Sequence, residues 1–138
     1  MIIKEHTGEK VSSSCEVARV LSAILHTDNE VDRDKEHFWV IGLNTKNVIK
    51  FIDLVSLGTL TNALIHPREV FRLSVMKGVC SIIAGHNHPS GDPTPSKDDV
   101  AITERLKHAG DILGISVLDH VIIGDNNQFT SLKERGLL

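Results

Sequence analysis

His86 and His88 stand one residue apart, Ser96 follows eight residues after the second, and Asp99 three residues after that. Side chains at i and i+2 point to the same side of an extended chain, so the two imidazoles can face one ion. Neutral imidazole and carboxylate are good zinc ligands, and a catalytic zinc usually takes three protein ligands and keeps a position for water. Asp99, at the start of a following helix, is the natural third ligand. Bound zinc lowers the pKa of water to about 7, which makes a nucleophile available at neutral pH. The same donors also suit other divalent transition metals. Each piece has a plainer reading. Ser96-Lys97-Asp98-Asp99 before an apolar run is a capping box, with Ser96 as N-cap and Asp99 at the third position. Asp98 and Asp99 suit a helix dipole in any case. Pro89, Gly91, Pro93 and Pro95 mark an ordinary loop. A capping box accounts for Ser96 and Asp99 but not for two histidines at the other end of the loop.

The elements that must position these residues follow from periodicity. The apolar run over 79–84 predicts a strand leading into the loop. From Lys97, the residues Ile102, Leu106, Ala109 and Leu113 keep helical spacing; Gly110 weakens the far end and Gly114 stops it. Earlier, residues 1–11 carry little pattern and are expected to be mobile or an edge segment. Ser13-Ser14-Cys15-Glu16 is a candidate capping box before Val17, Val20, Leu21, Ile24 and Leu25, an amphipathic helix with Arg19 on its wet face. Charged residues 28–35 read as a loop. Residues 36–43 and 48–55, separated by the turn 44–47, predict a hairpin. Residues 58–65 predict a third strand. A helix starts at Pro67, turns Val70, Phe71 and Val75 inward, and closes at Gly78. Residues 115–123 predict a strand, 124–127 a turn, 128–131 a short strand and 133–138 a short terminal helix. The expected class is α/β: a mixed β-sheet with flanking helices.

At 138 residues, one domain over 1–138 is expected. An apolar fraction of 41% allows a real core. A formal net charge of -3 argues against a basic nucleic-acid platform. Apolar runs fall far short of the ~20 residues of a membrane helix, so no membrane partner is expected. The start Met1-Ile2-Ile3-Lys4 lacks the apolar core of a signal peptide. Cys15 and Cys80 make no disulfide framework, and Cys80 reads as a small buried side chain. A reducing cytoplasm is the expected location. Nothing in the sequence specifies self-association.

His86-x-His88, seven residues, Ser96, two residues, Asp99 resembles the JAMM motif of the MPN (JAB) metalloproteases. The version His-Asn-His-Pro-Ser-Gly-Asp, with Asp119-His120 further on, resembles the RadC branch, over roughly Val11 to Leu138. JAMM deubiquitinases usually have Ser or Thr where this chain has Asn87. RadC proteins usually carry an N-terminal helix-hairpin-helix region, for which these residues leave no room. The resemblance implies an MPN/JAB (cytidine-deaminase-like) architecture, a Zn2+ cofactor held by His86, His88 and Asp99, and hydrolysis of a peptide or isopeptide bond in a peptide or protein substrate.

Such hydrolysis needs a base that returns its proton to the leaving amine. Glu36 and Glu69 are the candidates. Helix-dipole stabilisation explains Glu69. In JAMM proteins the catalytic Glu lies at the entrance of an early strand, and Glu36 matches that placement; the plain alternative is a solvated end to the charged loop. Ser96 acts as N-cap, and the resemblance implies that it also hydrogen-bonds the oxyanion. Asp119 and His120 could orient a metal-binding imidazole, but ordinary strand-end hydrogen bonds are the preferred reading. His6, His26, His37, His66 and His108 are assigned to no metal, His37 being expected to face away from Glu36's side. Asp92 is a spare carboxylate without the family spacing. Two rival functions stand beside the hydrolase. RadC relatives carry a DNA-repair label, although HNH-nuclease residues are dispersed rather than adjacent and the acidic balance supplies little for phosphate tracking. A protein-interaction module using the MPN fold without catalysis is the other, and the full ligand set counts against it.

Overall fold

The computed structural model describes residues 1–61 and 63–138. In chain order the elements are β1 (Ile2–Ile3), α1 (Ser14–Leu25), α2 (Glu30–Arg33), β2 (Glu36–Leu43), β3 (Ile49–Gly58), α3 (Pro67–Lys77), β4 (Ser81–Asn87), α4 (Lys97–Leu113), β5 (Ser116–Ile123) and β6 (Phe129–Ser131). The strands form one sheet in the order β1-β3-β2-β4-β5-β6. All neighbours are antiparallel except β4 beside β5. That parallel pair is joined through α4, as parallel neighbours require a crossover. The class is the expected one: α/β, a mixed sheet with flanking helices. No helix among the described residues is long and apolar enough to cross a membrane.

Strand alternation divides the core in two. Trp39, Ile41, Ile83, Val121 and Ile123 face α1 and pack on Val17, Leu21 and Ile24. Phe38, Val40, Ile82 and Ala84 face the other way, under Phe71 of α3 and Ile102 and Leu106 of α4. Covered on both faces, the middle strands read as continuous apolar runs. The second face matters for the site, because β4 continues along it from Ala84 to His86.

The N-terminal segment takes the edge reading of the two expected: Ile2 and Ile3 pair with Asp53 and Ile52. Several other expectations change. Ser13 caps α1, but Glu16 reaches past it to the Ser12 amide at 2.7 Å, so the expected reciprocal box is not formed. The charged loop at 28–35 contains α2, one turn started by Asn29, whose side chain accepts from the Asp32 amide at 2.8 Å. No third strand starts at Gly58. Gly58 instead ends β3, paired with Glu36 at the far end of β2. Residues 59–61 and 63–65 are not strand, and Asn62 lies outside the described residues. Val75 is 60% exposed rather than inward; Ser74, four residues after Val70, takes the inward position on α3. Leu113 likewise turns outward at the end of α4. Cys80 is exposed, between the cap of α3 and the start of β4. Residues 133–136 form turns, and none of 133–138 is helix. Gly136, with φ 72°, breaks the coil there.

Gly110 does more than weaken α4. A Cβ built on it would lie 2.3 Å from the Ile115 carbonyl oxygen. The Ile115 amide also bonds the Gly110 carbonyl at 2.8 Å as the chain turns into β5. Alanine at this position gains about 1 kcal/mol of helix propensity. It also meets backbone, which no rotamer change relieves, and overpacking costs about 1–3 kcal/mol. Gly110→Ala is expected to lower stability by up to about 2 kcal/mol in urea unfolding. A stabilised variant would show that the α4–β5 turn can open without loss.

Candidate metal centre

His86 is the sixth residue of β4, on the face that carries Ala84 and, opposite it on β2, Phe38. The Phe38 and His86 rings stack with centroids 6.3 Å apart. His88 lies just beyond the strand and keeps the alternation. Its amide bonds the Ile123 carbonyl at 3.0 Å, so β5 still guides the chain there. The loop then folds back. The Gly91 amide bonds the His88 carbonyl at 2.9 Å, and Asp92 holds the Thr94 amide and hydroxyl at 3.0 and 2.7 Å. The loop delivers Ser96, the N-cap of α4. The capping box is real: the Ser96 oxygen accepts from the Asp99 amide at 3.1 Å, and Asp99 Oδ2 accepts from the Ser96 amide at 2.8 Å. Capping and metal ligation are not rivals here, since the box aims the Asp99 carboxylate at the histidines.

The donors converge. His86 Nε2 lies 2.9 Å from His88 Nε2 and 3.0 Å from Asp99 Oδ1, and His88 Nε2 lies 3.0 Å from Asp99 Oδ2. His86 and Asp99 are buried and His88 half-buried. Among the described residues this is the group that offers three metal donors within 4.8 Å of one another.

Hydrogen bonds behind the rings set their tautomers. The Thr103 hydroxyl donates to the Asp99 carbonyl at 2.7 Å, so its oxygen accepts from His120 Nδ1–H at 2.5 Å. Burial holds His120 well below the ordinary histidine range, so its ring is neutral. His120 Nε2 therefore accepts from His86 Nδ1–H at 2.7 Å, which leaves the lone pair of His86 on Nε2. His88 is set the same way, its Nδ1–H donating to the Asp92 carbonyl at 2.8 Å. Two imidazole lone pairs at 2.9 Å repel unless a proton or a cation lies between them. The set fits a divalent ion: tetrahedral zinc with bonds of about 2.0–2.1 Å holds its donors about 3.3 Å apart. Without the ion, the hydrogen bond to Asp99 raises the His88 pKa while burial opposes it. Burial pushes the Asp99 pKa up, but hydrogen bonds from His86 and His88 outweigh that and hold it far below the carboxylate range.

A family model described as the RadC-like JAB domain matches residues 11–137. The chain belongs to the RadC-like JAB domain family. UPF0758 proteins are among its relatives. That of Moorella thermoacetica is 58% identical over 105 residues, 76% of this chain and 45% of its own length. That of Desulforamulus reducens is 53% identical over 107 residues, 78% of this chain and 47% of its own. That of Staphylococcus epidermidis is 48% identical over 135 residues, 94% of this chain and 59% of its own. The chain thus spans about half the length of the curated relatives it matches.

The other residues singled out in this RadC-like domain sort by contact. Glu36 opens β2 two residues before Phe38, so it shares the face of the His86 ring. Its charge acts on His88, raising that pKa. Glu69 is exposed on α3, with Arg68 Nε 3.8 Å from its carboxylate. Asp92 spends its carboxylate on Thr94 and its carbonyl on His88. Asp119 has the plain structural role: it accepts from the Ser131 hydroxyl at 2.6 Å and the Lys133 amide at 3.1 Å. The preferred reading fails for His120, which lies inside β5 with its ring on His86. The i, i+4 spacing of Asp99 and Thr103 was the available sequence signal for that support, since it puts both on one face of α4. His37 faces away as expected, its Nε2 on Asp28 at 2.7 Å and its ring stacked on Trp39.

Proposed function

We propose that this RadC-like domain is a zinc-dependent hydrolase of JAMM type that cleaves a peptide or isopeptide bond in a peptide or protein substrate. The observation that carries the proposal is the convergence of His86, His88 and Asp99, with both imidazole lone pairs turned to one point from behind. When bound there, zinc supplies Lewis acidity to the scissile carbonyl and lowers the pKa of water to about 7. Glu36 takes the proton from the attacking water and returns it to the leaving amine. Ser96 offers its hydroxyl hydrogen to the developing oxyanion. Its oxygen is occupied by the Asp99 amide, and among the described residues its hydrogen has no acceptor. A formal net charge of -3 gives the nucleic-acid alternative no support.

Elemental analysis of the purified protein should find about one zinc per chain, the stoichiometry of a three-ligand catalytic site. The zinc-loaded protein is then assayed on libraries of peptides and of isopeptide-linked conjugates, before and after chelation. Cleavage that disappears with the metal and returns with zinc is the expected result. A fully loaded protein that cuts neither class would refute the hydrolase. Ser96→Ala is expected to lose about 10²–10³ in turnover, the size of an oxyanion donor's contribution. The same change costs about 0.5–2 kcal/mol of stability through the lost cap. Turnover at the wild-type level would confine Ser96 to capping.

A further inference from the structure

We propose that Asn87, between the two ligand histidines, is a positioning residue that sets Glu36 against the metal centre. The inference rests on the hydrolase reading for the role of Glu36.

The last backbone pair between β2 and β4 is Phe38 with His86. Continuing that antiparallel register sets His37 opposite Asn87 and Glu36 opposite His88. Past Phe38 the Asn87 side chain replaces the backbone ladder. Its Oδ1 accepts from the His37 amide at 2.6 Å, and its Nδ2 donates to the Lys35 carbonyl at 3.0 Å. Those two groups belong to the peptide planes on either side of the Glu36 Cα. One amide therefore holds both planes and with them the direction in which the Glu36 side chain leaves the strand.

The surroundings favour a rigid clamp. Asn87 is 2% exposed and His37 1%, so water does not compete for the bond to the His37 amide. The His37 ring backs the same corner, with Nδ1 on the Lys35 carbonyl at 2.8 Å and Nε2 on Asp28. Arg33 Nε holds the Asp28 carbonyl at 2.8 Å. Asn87 ties this corner to β4, the strand that presents the histidines. Its chemistry is specific to the task, because one arm must accept and the other donate. Aspartate has no donor for the Lys35 carbonyl. A serine or threonine hydroxyl is a single polar atom and cannot span both peptide planes. A base has to sit within about 2.6–3.2 Å of the proton it removes. Glu36 pairs with Gly58 on the β3 side but lies beyond the last backbone pair on the β4 side, where Asn87 takes over.

The test uses the full chain with Asn87→Ala and the isosteric Asn87→Asp, both checked by thermal melting. Zinc content is expected to stay at the wild-type level. KM should change little and kcat should fall about 10–100-fold, as for a catalytic group displaced by an ångström. Added to Glu36→Gln, Asn87→Ala should cost less than about twofold more, because it acts through Glu36. A second readout needs no substrate. In the cobalt(II)-loaded protein the ¹³C carboxyl signal of Glu36, assigned by its loss in Glu36→Gln, should be broadened by the ion and should sharpen in both Asn87 variants. Wild-type broadening in the variants overturns the proposal, whatever hydrolysis does. A sharpened signal with a kcat loss that adds in full to that of Glu36→Gln also overturns it, since the role would then be structural. If the zinc-loaded wild type hydrolyses nothing, the hydrolase reading fails, and the line width alone decides whether Asn87 positions Glu36.

Discussion

Glu36→Gln is expected to bind zinc as the wild type does and to lose about 10²–10⁴ in turnover, the contribution of a positioned general base. Glutamine keeps the size and most of the hydrogen bonding of glutamate but cannot accept a proton at neutral pH. The retained metal follows from the donor set, since His86, His88 and Asp99 supply three donors without Glu36. The lost turnover follows from its place: two residues before Phe38, whose ring stacks on His86, and close enough for its charge to act on His88. Zinc content and kcat are measured on one preparation. Undiminished turnover removes Glu36 from the mechanism. Lost zinc would instead make Glu36 a ligand.

Asp99→Ala is the second large effect. Removing it deletes one of three donors and the carboxylate that both imidazoles face. Zinc affinity is expected to fall by more than the about 10–100-fold that loss of an outer partner costs. The variant also loses half of the α4 capping box. The pH dependence gives an independent check. The His88 pKa is raised in the metal-free fold, so its stabilisation is present below about 6.5, the unfolded value, and is lost as pH rises through the folded value. The Asp99 pKa is lowered, so its stabilisation is present above about 3.9 and is lost as pH falls through the folded value. The metal-free protein is therefore expected to be most stable between about pH 4 and 6.5 with respect to this pair. Zinc needs His88 without its extra proton, so affinity should rise about tenfold per pH unit until that proton is gone. In Asp99→Ala the melting-temperature profile across this range should flatten. Full zinc binding by that variant, with an unchanged pH profile, would exclude Asp99 from the centre.

The candidate metal site was largely legible from the sequence because it is built from local geometry. The i, i+2 spacing of His86 and His88 needs only an extended chain. Ser96 and Asp99 need only one helix start, and α4 supplies it. The same holds for α1 with its inward Val17, Val20, Leu21 and Ile24, and for the β2–β3 hairpin. Where local pattern misled, the cause was local too: Val75 lost the inward position to Ser74, and Gly136 with its positive φ breaks the expected helix over 133–138.

The residues that support the centre could not be found that way. His120 reaches His86 across a parallel pairing between strands that α4 separates in sequence. Asn87 reaches the peptide planes around Glu36 from a strand some fifty residues later in the chain. Nothing in the periodicity of either segment encodes these contacts, because they depend on the order of strands in the sheet. The sequence by itself determined which atoms could bind a metal, since ligand type and spacing are local properties. Only the tertiary structure decided which nitrogen of each ring presents its lone pair, and what holds the peptide planes around Glu36, since both depend on hydrogen bonds between elements brought together by folding.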